Sequence, residues 1–450
     1  MAFLGEDIKK LGFGLMRLPM MNGEVDEEQV KQMVDLFLAA GGTYFDTAYG
    51  YLDGKSEKAV KTCLVDRYPR ESFQLATKLP AWDAKNPEEA KQMVYTSLER
   101  TGAGYFDFYL LHNVGAERTQ IFEDYHMWEY ARELKEKGLV RHIGFSMHDT
   151  ADQLDAVLSR HPEAEFVQLQ INYADWENAV IQSRACYETA RRHKKPIIIM
   201  EPVKGGLLAS LPEEIARIFE EADPGVAACG KGFGTDSGNP SAASGESATA
   251  GRMAASGAAP CTKSGSDDSN EEILAARPSQ ASGAAPCSKP RSAGKNAENP
   301  AARPSQASWA LRYAASLPGV ITVLSGMSDL AQMQDNLSFM TDFIPLSEEE
   351  RETVAKVARA LENVEQIPCT SCKYCVNGCP MKIPIPEVFN QVNQYLKFRN
   401  LPRAKRDYLY AVKNGGAAET CVACGQCESV CPQKLPIIEE LKRAAELFAS

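Results

Sequence analysis

A chain of 450 residues is long enough for two or three domains and at least one large core. Its net charge of -11 and the lack of a basic block argue against a nucleic-acid partner, which needs a phosphate-neutralising face. The opening residues lack the basic-then-apolar order of a signal peptide, and no run approaches the roughly 20 apolar residues that cross a bilayer, so the expectation is a cytoplasmic protein without a membrane partner.

From Leu11 to about Met340, short β-branched or aromatic runs alternate with longer amphipathic ones, the rhythm of parallel strands joined by crossover helices. Strands are predicted at 11–16, 44–46, 73–78, 106–112, 142–146, 166–172, 196–201 and 320–326. Eight is the number that closes a barrel, and the predicted class is α/β, a (β/α)8 TIM barrel. Helix starts are marked by Asp26 with Gln29 three residues on, and by Asn86 followed by Pro87 at the first helical position. The first helix runs to Ala40 and stops at Gly41-Gly42.

Between Gly225 and Ser308 the composition turns to Ala, Ser, Gly and Pro. The segment Ala255 to Cys261 recurs at Ala281 to Cys287, and Ala275 to Ser282 recurs at Ala301 to Ser308. These units lack the large apolar residues that stacked repeats must bury, so residues 226–307 read as a disordered insertion in a barrel spanning 1–345. Without it the barrel keeps about 250 positions, the usual size. Helix entry is then expected at Ser308. Cys229, Cys261 and Cys287 fall inside the insertion with no pairing suited to a metal. Ser347 and Glu350 form a capping box that opens a helix to about Asn363, a link (346–368) to the cysteine-rich end.

Four polar residues fall at or just past the carboxyl ends of successive strands: Asp46 and Tyr51 after the second, Lys78 ending the third, His112 ending the fourth. A barrel enzyme keeps its chemistry at that end. An ammonium beside a phenol favours the phenolate, which would bring the Tyr51 pKa down from near 10 toward the working range, with Asp46 keeping the ammonium charged. Tyr49 is the rival phenol.

These motifs resemble the aldo-keto reductase family over almost all of residues 1–345 outside the insertion. The resemblance rests on Leu11-Gly12-Phe13-Gly14-Leu15-Met16-Arg17-Leu18-Pro19, Phe45-Asp46-Thr47-Ala48-Tyr49-Gly50-Tyr51, Ala76-Thr77-Lys78, Leu110-Leu111-His112-Asn113 and Val140 to Ser146. It implies NAD(P)H-dependent reduction of a small-molecule carbonyl, with Tyr51 as proton donor, Lys78 and Asp46 as its supporting pair, and His112 as an orienting or relaying group. Its five-residue step from Asp46 selects Tyr51 over Tyr49. It further implies Ser146 and Gln168 at the nicotinamide carboxamide, with Gln170 or Asn172 nearby, Gly205 and Gly206 at the pyrophosphate, and Ser328, Gln332 and Asn336 at the adenosine end. Gly326 and Gln332 stand where many members carry a Lys and an Arg on the 2′-phosphate, so NADP(H) and NAD(H) both stay open. Trp82, Met16 and Tyr49 are candidates for a substrate rim, and Cys63 and Cys186 for buried packing residues.

Of the 13 cysteines, eight lie in two runs that read C-x2-C-x2-C-x3-C-P: Cys369, Cys372, Cys375 and Cys379, then Cys421, Cys424, Cys427 and Cys431. This is the bacterial two-cluster ferredoxin spacing, in which three thiolates hold one [4Fe-4S] cluster and the fourth reaches the other. Cys431 is thus expected to complete the first cluster and Cys379 the second; zinc is the competing metal. The long spacer carries two helical patterns, 386–399 and 402–413, so residues 369–450 read as a small α-helical ferredoxin-like domain. Its basic strip, Lys397, Arg399, Arg403, Lys405 and Arg406, reads as a solvated face or a dock for an acidic electron carrier. A ferredoxin or flavoprotein is a possible electron partner. The alternatives to a carbonyl reductase are an electron-transfer protein and a nicotinamide-sensing regulatory subunit.

Overall fold

The computed structural model describes residues 4–222 and 305–449. The insertion up to residue 304, with Cys229, Cys261 and Cys287 and all of its repeats except the last residues of the final copy (305–308), lies outside the described residues.

Eight strands close into a parallel barrel in sequence order: β1 (Leu11–Gly14), β2 (Tyr44–Asp46), β3 (Gln74–Leu79), β4 (Phe106–Leu111), β5 (Val140–Met147), β6 (Phe166–Gln170), β7 (Ile197–Met200) and β8 (Val320–Ser325). Strand β8 returns to β1 with Leu11 opposite Val323 and Phe13 opposite Ser325. Alternation along each strand sorts the side chains. Tyr44, Ala76, Phe108, Leu110, Phe166 and Ile198 fill the interior, with edge-on ring contacts from Phe108 to Tyr44 (5.0 Å) and to Phe166 (5.1 Å). Their neighbours in sequence, such as Phe45, Leu75, Tyr109, Val167 and Ile199, face outward into the larger core beneath the helices. Asp46 lies two residues beyond Tyr44, Lys78 two beyond Ala76, and Gln168 two beyond Phe166. Each is therefore the polar cap of an inward-facing column.

The expected strands all form, with ends displaced by one or two residues; β1 stops at Gly14 because Leu15–Arg17 turn into a short 3-10 helix. A two-stranded ribbon, Met20–Met21 against Glu24–Val25, was not expected: strands so short carry no readable alternation. The expected caps form. Asp26 accepts from the Gln29 amide (3.2 Å) to start α1 (Glu27–Ala39), and Asn86 accepts from the Glu89 amide (2.9 Å) to start α2 (Pro87–Thr101). After the insertion the chain enters helix slightly before Ser308, since Ser305 caps the helix Gln306–Ala315.

The helix Glu348–Glu362 is more than a link. Its Val354, Val357 and Leu361 pack with Ile215 and Phe219 of the helix Glu213–Ala222 and with Trp309 of Gln306–Ala315, where Phe219 and Trp309 stack at 4.7 Å. Beyond it, the helices Ile385–Phe398, Leu401–Ala411 and Ile437–Ala449 enclose a second small core that includes Cys375 and Cys427. Phe398 leaves that core and packs with Leu207 and Leu208, just past strand β7. Among the described residues no helix is long and apolar enough to cross a membrane.

Candidate active site and cysteine cavities

The register brings the capping residues together at one end of the barrel. Lys78 donates to Asp46 Oδ1 (2.5 Å) and to the Thr47 carbonyl (2.7 Å), and Lys78 and Asp46 are each only 2% exposed. Gln168 donates to the other Asp46 oxygen (3.3 Å). The loop after β2 makes a tight left-handed turn, with positive φ at Leu52, Asp53 and Gly54, and brings the Tyr51 ring to 4.7 Å from the Lys78 ammonium. Such a turn is costly for Leu52 and persists only because its surroundings fix it. Beneath it, buried Glu57 accepts from Thr77 (2.8 Å) and Arg100 (3.1 Å). Arg100 also donates to the Tyr49 carbonyl and lies over the Tyr49 ring, so Tyr49 faces Arg100. His112 meets Tyr51 edge-on at 6.0 Å and Trp82 at 5.3 Å.

Burial pushes the Asp46 carboxyl up, and Lys78 and Gln168 pull against it. Burial likewise opposes the Lys78 ammonium, but Asp46 and Tyr51 outweigh it and raise the Lys78 pKa. For Tyr51 the balance runs against the sequence-based expectation: burial raises the phenol above its usual value, and the Lys78 charge only partly offsets this. Tyr51 is held as a neutral donor. Burial and the Lys78 charge bring His112 down to about 3, so its ring is neutral in the physiological range.

The other expected cofactor residues divide into two groups. Ser146 Oγ accepts from the Asn113 amide (2.8 Å), which leaves its proton to donate, and Gln168 Oε1 is buried with no partner. This suits an amide-bearing ring such as nicotinamide, and both groups point to a polar ligand rather than to packing. Asn172 and Gln170 are instead turned to Asp175, at 2.9 and 3.4 Å; Asp175 also takes both hydrogen bonds of buried Lys204. Gly205 and Gly206 have φ of 62° and 97°, and the space beside Gly206 is open. Gln332 caps its own helix (Leu330–Met340) through the Ser328 amide and Asp329, and Asn336 bonds buried Ser325 at 2.7 Å.

The eight cysteines of the two runs are free thiols and line two cavities. One is bordered by Cys369, Cys372, Cys375 and Cys431, the other by Cys379, Cys421, Cys424 and Cys427. Each takes three from one run and the fourth from the other. Both runs repeat one backbone form, left-handed at Ser371, Lys373 and Lys382 and again at Ala423, Gly425 and Lys434. Backbones of this kind form N–H-lined concavities that suit anionic clusters. Burial and neighbouring thiols raise the Cys369 thiol and push Cys375 up to about 11. Among the described residues no three metal-ligating side chains stand close enough to share a single ion. Four thiols around a cavity fit a cluster better than they fit one zinc.

Residues 10–359 match the sequence model of the Aldo/keto reductase family, and the chain belongs to that family. Residues 368–435 match the model of a 4Fe-4S dicluster domain. An aldo-keto reductase of Strobilurus tenacellus is 30% identical over 212 residues, covering 45% of this chain and 60% of that protein. An NADH-specific methylglyoxal reductase of Escherichia coli is 29% identical over 193 residues, covering 37% and 56%. The chain thus spans less than two thirds of either relative. A solved structure of an aldo-keto reductase from Klebsiella pneumoniae in complex with NADPH superposes with a TM-score of 0.50 at 17% identity, over 78% of this chain and 91% of that one, a likeness of fold.

Lys397 and Arg403 were missed as part of this region. Both are partly buried against the barrel, not solvated, and Arg403 donates to the Gly205 carbonyl.

Proposed function

We propose that the chain is a cytoplasmic NAD(P)H-dependent carbonyl reductase, converting an aldehyde or ketone to an alcohol, with two [4Fe-4S] clusters in a domain spanning 369–450. The observation that carries this reading is the buried Lys78 ammonium, clamped by Asp46 and set 4.7 Å from the Tyr51 ring. A carbonyl oxygen seated between Tyr51 and His112 meets a neutral phenol able to release its proton. Lys78 stabilises the phenolate left behind, and Asp46 keeps Lys78 charged and fixed. His112, a neutral ring, orients the oxygen, and Trp82 provides an apolar wall. Ser146 and Gln168 would hold the carboxamide of a nicotinamide, and Gly205, Gly206, Ser328, Gln332 and Asn336 would border its phosphates and adenosine. Bound there, the reduced cofactor supplies the hydride. The two cysteine sets would each hold one cluster, which would serve the structure of the domain or exchange single electrons with a ferredoxin or flavoprotein partner.

The test is anaerobic turnover by the cluster-loaded protein. Because the Escherichia coli relative is named for methylglyoxal, small oxo-aldehydes and an aromatic aldehyde are the first substrates, with NADPH and NADH in parallel. Tyr51→Phe should lower kcat by about 100-fold or more while nucleotide still binds. A Tyr51→Phe protein with full activity defeats the assignment. Clusters that bleach with NADPH while no aldehyde is consumed would replace it with the electron-transfer reading.

A further inference from the structure

Around the loop after β7 gathers a cluster of cations, most of them from other elements, that the reaction at Tyr51 does not use. Arg403, from the N-terminal turn of the helix Leu401–Ala411, lays its guanidinium against Gly205, hydrogen-bonds the Gly205 carbonyl and pairs with Asp407 at 3.3 Å. Arg406 shares the same Asp407. Arg17, just past β1, runs its stem beside Gly326, within 3.5 Å of where a side chain would start. Lys397 lies partly buried beside Lys204 and Asp175, but Lys204 already occupies both Asp175 oxygens.

Among the described residues, Arg17 and Lys397 make no hydrogen bond or ion pair. Glu201 faces Arg403 and Glu362 faces Lys397, yet neither forms an ion pair with them. Burial lowers the pKa of both Lys397 and Arg403, and Lys204 adds to this at Lys397, Arg17 and Arg406 at Arg403. Cations gathered at such cost around an open glycine turn have the character of an anion site. The stretch after β8, from Gly326 to Gln332, offers no cation of its own.

We propose that the C-terminal domain completes the phosphate site of the dinucleotide: Arg403 and Lys397, with Arg17 from the barrel, hold its phosphate oxygens over the Gly205-Gly206 turn. The inference rests on the nicotinamide reading above. It makes the cluster-bearing domain part of the nucleotide site, so that neither is complete without the other.

The experiment is equilibrium binding of NADPH and NADH to the full cluster-loaded protein, without substrate, over a range of salt, with cluster absorbance recorded to confirm loading. Arg403→Gln, Arg17→Gln and Lys397→Gln should each weaken affinity about tenfold, with a shallower salt dependence, and Arg403→Lys should recover part of the loss. Equal losses for both nucleotides locate the contact on the pyrophosphate; a loss confined to NADPH locates it on the 2′-phosphate. Affinities within about twofold of wild type in all three Gln variants overturn the proposal, as does a loss with unchanged salt dependence, which marks a purely structural brace. Wild-type protein that binds neither nucleotide sinks the functional reading itself, an outcome distinct from unchanged variants on a binding wild type.

Discussion

The His112 ring carries a pKa of about 3 because burial and the Lys78 ammonium both oppose its proton. Between pH 3 and 6.5 the unfolded chain binds a proton here that the folded chain does not, so this residue's share of stability is fully present above 6.5 and is lost as the pH falls toward 3. Turnover should therefore show no break near pH 6.5 from this group. A wild-type kcat profile with such a break, absent in His112→Gln, would contradict it. The Tyr51 phenol, raised by burial, stays protonated at neutral pH, and reduction should decline only as the pH passes its usual value of about 10. The placement of Asp46, Lys78 and His112 was legible in the sequence because each stands at or next to the end of a strand, and strand ends face the mouth. The direction of the Tyr51 shift was not legible. It depends on how deep the ring sits, and that depth is set by a left-handed turn at Leu52 and Asp53, residues that give no sign of it.

Helix caps were read correctly at Asp26, Asn86 and Ser347, because capping is settled within four residues. The helix Glu348–Glu362 shows where local reading stops. Its start is plain, but its partner is not. Arg312, in the helix Gln306–Ala315, grips Glu350 with two bonds of 2.6 and 2.9 Å, and the same Glu350 closes the capping box on Ser347. One side chain thus fixes both the start of the helix and its seat on the barrel. Burial alone would raise the Glu350 carboxyl, but Arg312 and Ser347 hold it below its usual range. Its contribution is present above about pH 4.5 and is lost as the pH falls through the lowered value. Glu350→Gln should cost about 1–3 kcal/mol, measured by urea unfolding at neutral pH, with a smaller difference from wild type at pH 3. An equal difference at both values would mean that the charge does not matter.

The barrel was legible across the whole molecule because strand periodicity repeats eight times, and the cysteine runs because their spacing is rigid. The seat of one on the other was hidden. Arg403 and Gly205 are 198 residues apart, and no local pattern ties them. The C-terminal core is small and is shared by Cys375, Cys427 and three helices, so the clusters should hold it together. Stripping iron with a chelator should remove a distinct part of the helical circular dichroism and add a low-temperature transition while the barrel melts as before. Unchanged helicity and melting after iron loss would show that the clusters are not structural. The interleaving of the two cysteine sets also constrains the order of events at the ribosome. If each cavity is closed by a thiol from the opposite run, the first cluster waits for Cys431 to emerge, although its other three ligands, Cys369, Cys372 and Cys375, belong to the earlier run. The barrel can fold as it leaves the tunnel, but both clusters, and the Arg403 contact that depends on the domain around them, would come together only after the second cysteine run has followed the first into the open.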